Sequence, residues 1–352
     1  MWPVLHYAIH GDNDFMNLYA GGVLAGSPDL YNMDAVRHVQ GRFWERPRYL
    51  PFTRLPFYAV VLAPLRFLNY RYAYWLWQML CLAAVAATVW LLPARHRWLT
   101  AAACCWSLPL VDGFVMGQDV AIVVLAAAAS LALLARGKDF AAGCVLSLCL
   151  IKFNLFLALP ILILARRMRR FGWGAAVGCA ALAAVSFAVA GWNWPVPYVA
   201  VLRFPATTAL YSGLPNLRGL FAHLPGVDYW QAGATCVTVV VTWIAARRSS
   251  LRLAVSATIL CGLLVSHHAF CADAFVVVPA AILLWDGAAH QLHRIMALLL
   301  LCPLVYLPLA TTGHPLLHPA ILFLATLGTI AWRAKDEEQP WSGSKPSQAI
   351  SH

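Results

Sequence analysis

Residues 140–165 read FAAGCVLSLCLIKFNLFLALPILILA, an apolar stretch whose single charge is Lys152. Its flanks are basic: Arg136 and Lys138 precede it, and Arg166, Arg167, Arg169 and Arg170 follow it. One straight span would place these clusters on opposite faces of a membrane, whereas basic residues collect on one face. The stretch is therefore expected to enter and leave on the same side as two short helices. At about 12 residues each would be roughly 18 Å long, short of a hydrocarbon core of about 30 Å. The reading is a re-entrant or broken-helix hairpin with Lys152 near its tip.

The rest of the chain has the same character. Its 352 residues are 62% hydrophobic and 11% charged, with a mean hydropathy of +0.70. Soluble domains run about 45–50% apolar and about 25% charged. This composition excludes a soluble enzyme, a disordered chain and a nucleic-acid module. Further apolar runs cover roughly 72–92, 99–116, 119–136, 171–191, 230–246, 250–266, 273–286, 293–310 and 316–332, with 51–69 less regular. The fold class is thus all-α, a polytopic transmembrane helical bundle of about 9 to 11 membrane segments. Residues 1–332 form the membrane domain, and the Asp/Glu/Ser/Pro-rich 333–352 read as a disordered cytoplasmic tail. The net charge of +11 follows topology: Arg95/Arg97, Arg247/Arg248/Arg252, Arg294 and the tail join the clusters above on one face. Charge alone leaves residues 11–50 on either face. Nine of the ten cysteines fall within apolar runs, without zinc or Cys-x-x-Cys spacing, and read as small buried helix residues rather than a disulfide framework.

Five polar features interrupt this background. Asp12-Asn13-Asp14 precedes an amphipathic stretch, Phe15 to Gly26. A carboxylate there serves either as a general base or as a helix N-cap. Gly117-Gln118-Asp119 lies between two apolar runs, as a turn with an N-cap or as hydrogen-bonding groups for a sugar or phosphate. Lys152 at membrane depth costs about 2.5–3.5 kcal/mol on insertion scales; it snorkels, or an anionic lipid head supplies its counter-charge. Ser266-His267-His268 with Asp273 is a polar junction, either a sugar/phosphate-binding or proton-handling site or a pair of plain interfacial histidines; a metal site would need more ligands than two neighbouring histidines whose side chains diverge on a helix. Asn216-Leu217-Arg218-Gly219 is a weaker ligand-contact candidate.

Taken in order, these segments resemble glycosyltransferase family 87, membrane mannosyltransferases of GT-C fold that use polyprenyl-phosphate mannose. The resemblance rests on Asp14-Phe15, Tyr19-Ala20, Pro51-Phe52 with Pro56, Ala63-Pro64-Leu65, Gly117-Gln118, Ala142-Gly143 with Lys152, Asn216 to Leu220, and Ser266-His267-His268 with Asp273. Family members carry a transmembrane helix before the Asp-Phe segment, where this chain has about ten residues. The expectation is a missing first helix or a misassigned start. The chain also has His267 where the family has proline, so His268 aligns better than His267.

The resemblance implies an inverting hexosyltransferase of the plasma membrane, working on the extracytoplasmic face with residues 11–50 external. Asp14 would be the catalytic base. Lys152, His268 and His267 would bind the donor phosphate. Gln118, Asp119, Asn216, Arg218 and Asp273 would bind sugar or acceptor. No metal and no cofactor is expected; the partners would be a polyprenyl-phosphate sugar donor, a lipid or glycan acceptor and the membrane, without nucleic acid. The competing reading is a transporter or flippase of a lipid-linked or small polar solute, which interrupted helices also suit.

Overall fold

The computed structural model describes residues 9–43, 50–203, 212–310 and 315–333, which include helices and no strand. The tail expected to be disordered lies outside the described residues beyond Arg333. The elements are α1 (Phe15–Val23), α2 (Met33–Gly41), α3 (Pro56–Leu62), α4 (Tyr70–Leu91), α5 (Arg97–Cys105), α6 (Leu108–Val115), α7 (Val120–Ala135) and α8 (Asp139–Leu146). They continue with α9 (Leu159–Arg166), α10 (Arg169–Ala190), α11 (Pro195–Leu202), α12 (Leu217–Leu220), α13 (Val227–Arg248), α14 (Leu251–Val265), α15 (Val277–Gly287), α16 (Gln291–Leu301) and α17 (Pro319–Trp332), with a four-residue helix, Leu307–Ala310, between the last two. Short 3-10 turns join several of them.

Fewer segments cross the full width than the apolar runs suggest. By length and apolarity alone four helical stretches qualify, α4, Asp139–Phe156, α10 and α13, although the second is interrupted at Lys152. Counting each bent pair as one span raises the number to six. The cause is local. The run at 99–116 breaks into α5 and α6 at an angle of 55°, where Ser107 caps α6 and Pro109 follows. The run at 293–310 breaks by 67° at Pro303. Proline lacks the N–H that would continue the ladder, so an unbroken apolar sequence need not be an unbroken helix.

Exposure follows lipid rather than water. Apolar α10 and α13 point Val177, Val185, Val237 and Val240 outward. The shorter α14 and α15 are almost wholly buried between neighbours. A soluble monomer rarely leaves so much contiguous apolar surface uncovered; this is a membrane protein. Cys105 and Cys236 are exposed on such helices, so not every cysteine is an interior packing residue; all ten are free thiols.

The stretch 140–165 breaks at Lys152, whose φ of −131° and ψ of 63° interrupt the helix. Its two ends come back together. A Cβ at Gly174 would lie 2.0 Å from the Phe140 carbonyl oxygen, and one at Gly143 would lie 2.1 Å from that of Phe171. Only glycine permits this approach of α8 to α10. The start of α8 therefore sits beside the start of α10, and α9 runs into that same start through Arg167, in a left-handed backbone conformation at φ 54°. The chain rises to Lys152 and returns.

The same end gathers the other basic clusters. Arg166 Nη1 donates to the Ser249 carbonyl at 3.0 Å. The Arg95 amide donates to buried Asp286 at 2.6 Å. From that end α8 and α14 climb, and α4, α7 and α13 descend to it, so the turns at 11–14, 116–119, 152 and 266–273 meet at the other.

Candidate active site

At that opposite end lies an open cleft. One wall is made where the start of α1 is clipped to the turn between α6 and α7. The Asp14 amide donates to the Met116 carbonyl at 3.0 Å, and Asn13 Nδ2 donates to the Val115 carbonyl at 2.8 Å. Gly117 has φ +64°, and a Cβ there would lie 2.6 Å from Asn13 Oδ1, so glycine is required by conformation and by space. Trp77 Nε1 donates to the Gly117 carbonyl at 3.1 Å. Phe15 packs among Tyr70, Tyr74 and Trp77 and fixes the helix behind the clip.

Asp14 occupies the N-cap position of α1 but its side chain makes no cap bond. Asn13 Oδ1 accepts from the Phe15 amide at 3.1 Å instead. The Asp14 carboxylate turns into the cleft and accepts from Gln118 Nε2. Helix α1 is mostly buried against α3, so it is not the interfacial amphipathic helix expected for this stretch. Of the flanking carboxylates, Asp14 lines the cleft and Asp12 does not.

The floor is a network of buried charge. Lys152 Nζ donates to Gln118 Oε1 at 2.8 Å and to Asp273 Oδ1, and lies 3.3 Å from Asp119 Oδ1. Arg54 grips Asp119 with two parallel bonds, Nε to Oδ2 at 2.7 Å and Nη2 to Oδ1 at 2.9 Å. Arg54 and Lys152 together thus compensate the buried Asp119 carboxylate. The counter-charge that Lys152 needs is therefore internal; an anionic lipid head is not required to supply it.

His268 and Asn154 close the far wall. Burial pushes the His268 imidazole down to about 4, so it is neutral at physiological pH, edge-on to Phe270 at 4.5 Å. Asn154 Nδ2 donates to Ser266 Oγ at 2.9 Å and to the His268 carbonyl, tying the broken segment to the histidine loop. Asp273 accepts from the Phe270 amide at 2.9 Å, which fixes the loop from the other side. Behind this wall is a second chamber, mostly apolar, with Ile151, Phe153, Leu157, Leu202 and His267 on its sides. Thr53, Arg54, Asn154 and His268 face both spaces.

Of the candidate residues, Asp14, Gln118, Lys152, His268 and Asp273 thus share one cleft, and His267 faces its neighbour. Asp119 is fully buried beneath the floor as the partner of Arg54 and Lys152. Asn216 and Arg218 are not in the lining. Asn216 spends its amide on the protein: Oδ1 accepts from the Gly219 amide at 2.9 Å and Nδ2 donates to the Ser266 carbonyl at 2.8 Å. Arg218 bonds to Asp228 at 2.8 Å. Arg54, Asn17 and Asn154 line the cleft without having been singled out. Arg54 carried a signal, since a guanidinium between Phe52 and Pro56 in an apolar stretch demands a buried carboxylate. No cluster of three or more His, Cys, Asp or Glu side chains fit to hold a metal occurs among the described residues.

A carboxylate–amide–ammonium chain beside a neutral imidazole, at one end of a membrane helical bundle, is the kind of site in which a membrane transferase handles a hydroxyl and a charged leaving group. The chain belongs to glycosyltransferase family 87, whose family model matches residues 52–279. It is accordingly a glycosyltransferase, which answers the transporter alternative. The match begins after Asp14, so that residue enters the site through geometry. No curated protein and no solved structure matches the chain.

Proposed function

We propose that this glycosyltransferase takes a hexose, mannose by the resemblance described above, from a polyprenyl phosphate and passes it with inversion to an extracytoplasmic lipid or glycan acceptor. The observation that carries the donor class is the pair of chambers sharing Thr53, Arg54, Asn154 and His268. A lipid phosphate has one apolar and one charged end. Its chain suits the apolar chamber, its phosphate the shared wall, and its sugar the polar cleft.

In this reading Asp14 takes the proton of the acceptor hydroxyl as that oxygen attacks the sugar C1. The C1–O bond to phosphate breaks on the opposite face, and the polyprenyl phosphate leaves with both bonding electrons. His268, neutral, donates a hydrogen bond to the phosphate as its charge grows. Gln118 holds Asp14, and Asp273 holds the histidine loop. The gathering of the basic clusters at the far end supports a plasma-membrane enzyme with its cleft on the extracytoplasmic side.

The test is transfer by membranes containing the protein, offered labelled polyprenyl-phosphate mannose, polyprenyl-phosphate glucose and a nucleotide-linked mannose separately. Labelled product from a polyprenyl-phosphate sugar is expected. Transfer from the nucleotide sugar alone would overturn the donor class.

A further inference from the structure

The cleft holds two buried cations, Lys152 and Arg54, and they differ in what they have left to give. An ammonium has three N–H donors. Those of Lys152 face three acceptors, on Gln118, Asp119 and Asp273, and its side chain is 5% exposed. A guanidinium has five N–H donors. Arg54 uses two on Asp119 and one, from Nη1 at 2.8 Å, on Thr53 Oγ1. Two remain, one on each terminal nitrogen, enough for two oxygens of a single phosphate. Arg54 also faces both chambers, whereas Lys152 faces only the polar cleft.

Charge leads to the same division. Arg54 and Lys152 are balanced by Asp119 and Asp273. An entering phosphodiester, a monoanion, meets no surplus positive charge and is held by directed N–H groups. Arg54 can offer these without breaking an existing bond. Lys152 would have to release a carboxylate buried beside it, which is unfavourable in a low-dielectric interior.

We infer that Arg54 is the group that meets the donor's phosphate at the wall between the two chambers, and that Lys152 is a positioning residue acting on Asp14 through Gln118. Asp119 holds the Arg54 fork in place from beneath. The inference rests on the polyprenyl-phosphate reading above.

The test uses the full chain in lipid nanodiscs, with binding of a short-chain polyprenyl phosphate measured beside transfer kinetics. Arg54→Lys keeps the charge that Asp119 needs but loses the fork. It should weaken polyprenyl phosphate binding at least about tenfold and raise the donor KM, with acceptor KM unchanged. Lys152→Gln combined with Asp273→Asn removes two opposite charges together. It should hold binding within about threefold while kcat falls about a hundredfold and its pH profile moves, because the base is no longer fixed. Should Arg54→Lys not fold, Arg54→Gln with Asp119→Asn carries the same expected loss of binding. Full binding in a folded Arg54 variant, or loss of binding in the Lys152 variant, overturns the inference. If the wild-type protein binds no polyprenyl phosphate, the donor reading itself fails.

Discussion

Asp14 and Lys152 touch opposite ends of one amide: Gln118 donates from Nε2 to the Asp14 carboxylate and accepts the Lys152 ammonium at Oε1, 2.8 Å away. A flipped amide would set its oxygen against the carboxylate and its NH₂ against the ammonium, losing both bonds. The ammonium thus sets the orientation in which Gln118 meets Asp14, although the two charges come from segments more than a hundred residues apart.

Because Asn13 caps α1, cap and candidate base are separable. Asp14→Asn should leave thermal stability within about 0.5 kcal/mol of wild type while transfer falls at least about a hundredfold. Asn13→Ala should do the reverse in stability, costing about 1–3 kcal/mol. Transfer and unfolding are measured on the same preparations. Near-normal transfer by Asp14→Asn with loss in Asp12→Asn would move the base to Asp12.

Burial holds His268 neutral in the fold, its pKa pushed down to about 4. The unfolded chain takes up that proton near pH 6.5. Stability from this source is complete above about pH 6.5 and is lost as pH falls toward 4. Melting temperature in detergent should decline across that window, and His268→Gln should flatten the decline. A flat profile for the wild type would refute neutral burial.

Asn216→Ala removes the α12 cap and the tie to Ser266, and should cost about 1–3 kcal/mol. Arg218→Ala severs a bond to the exposed Asp228 and should change stability by less than about 1 kcal/mol. Neither change should alter donor KM. A large rise in donor KM for Arg218→Ala would return that residue to the sugar site.

A Cβ at Gly262 would lie 2.0 Å from the Leu155 carbonyl oxygen, in the 3-10 turn that carries Lys152. Gly262→Ala should displace that turn, lowering melting temperature and transfer rate together. Gly233→Ala, with open space around it, should be neutral or stabilise by about 0.4–1 kcal/mol.

Asp29 is exposed in the segment between α1 and α2. In a background lacking the exposed Cys105 and Cys236, Asp29→Cys should react with an impermeant thiol reagent added outside the cell. Reaction only from the cytoplasmic side would contradict the proposed placement of the cleft.

The sequence by itself determined the solvent and much of the topology. Apolar runs at 62% hydrophobic content require lipid around them, and the basic clusters flanking 140–165 required its ends to meet, as Gly143 and Gly174 allow. It also picked out Gln118, Lys152, His268 and Asp273, because polar groups in or between apolar runs are costly enough to mark themselves, and Asp14 through the family resemblance. What only the tertiary structure decided is who partners whom. Asp119 and Asn216 looked like ligand contacts, yet their hydrogen bonds are consumed inside the protein by residues distant in the chain. Arg54 was one residue of the less regular run at 51–69, yet it is the guanidinium facing both chambers. Hydrogen-bond capacity is a property of a neighbourhood, and neighbours 65 residues apart, as Arg54 and Asp119 are, meet only when the helices pack. Segment count failed for a related reason: proline and serine at 107–109 and proline at 303 bend the chain, and hydropathy does not register a bend.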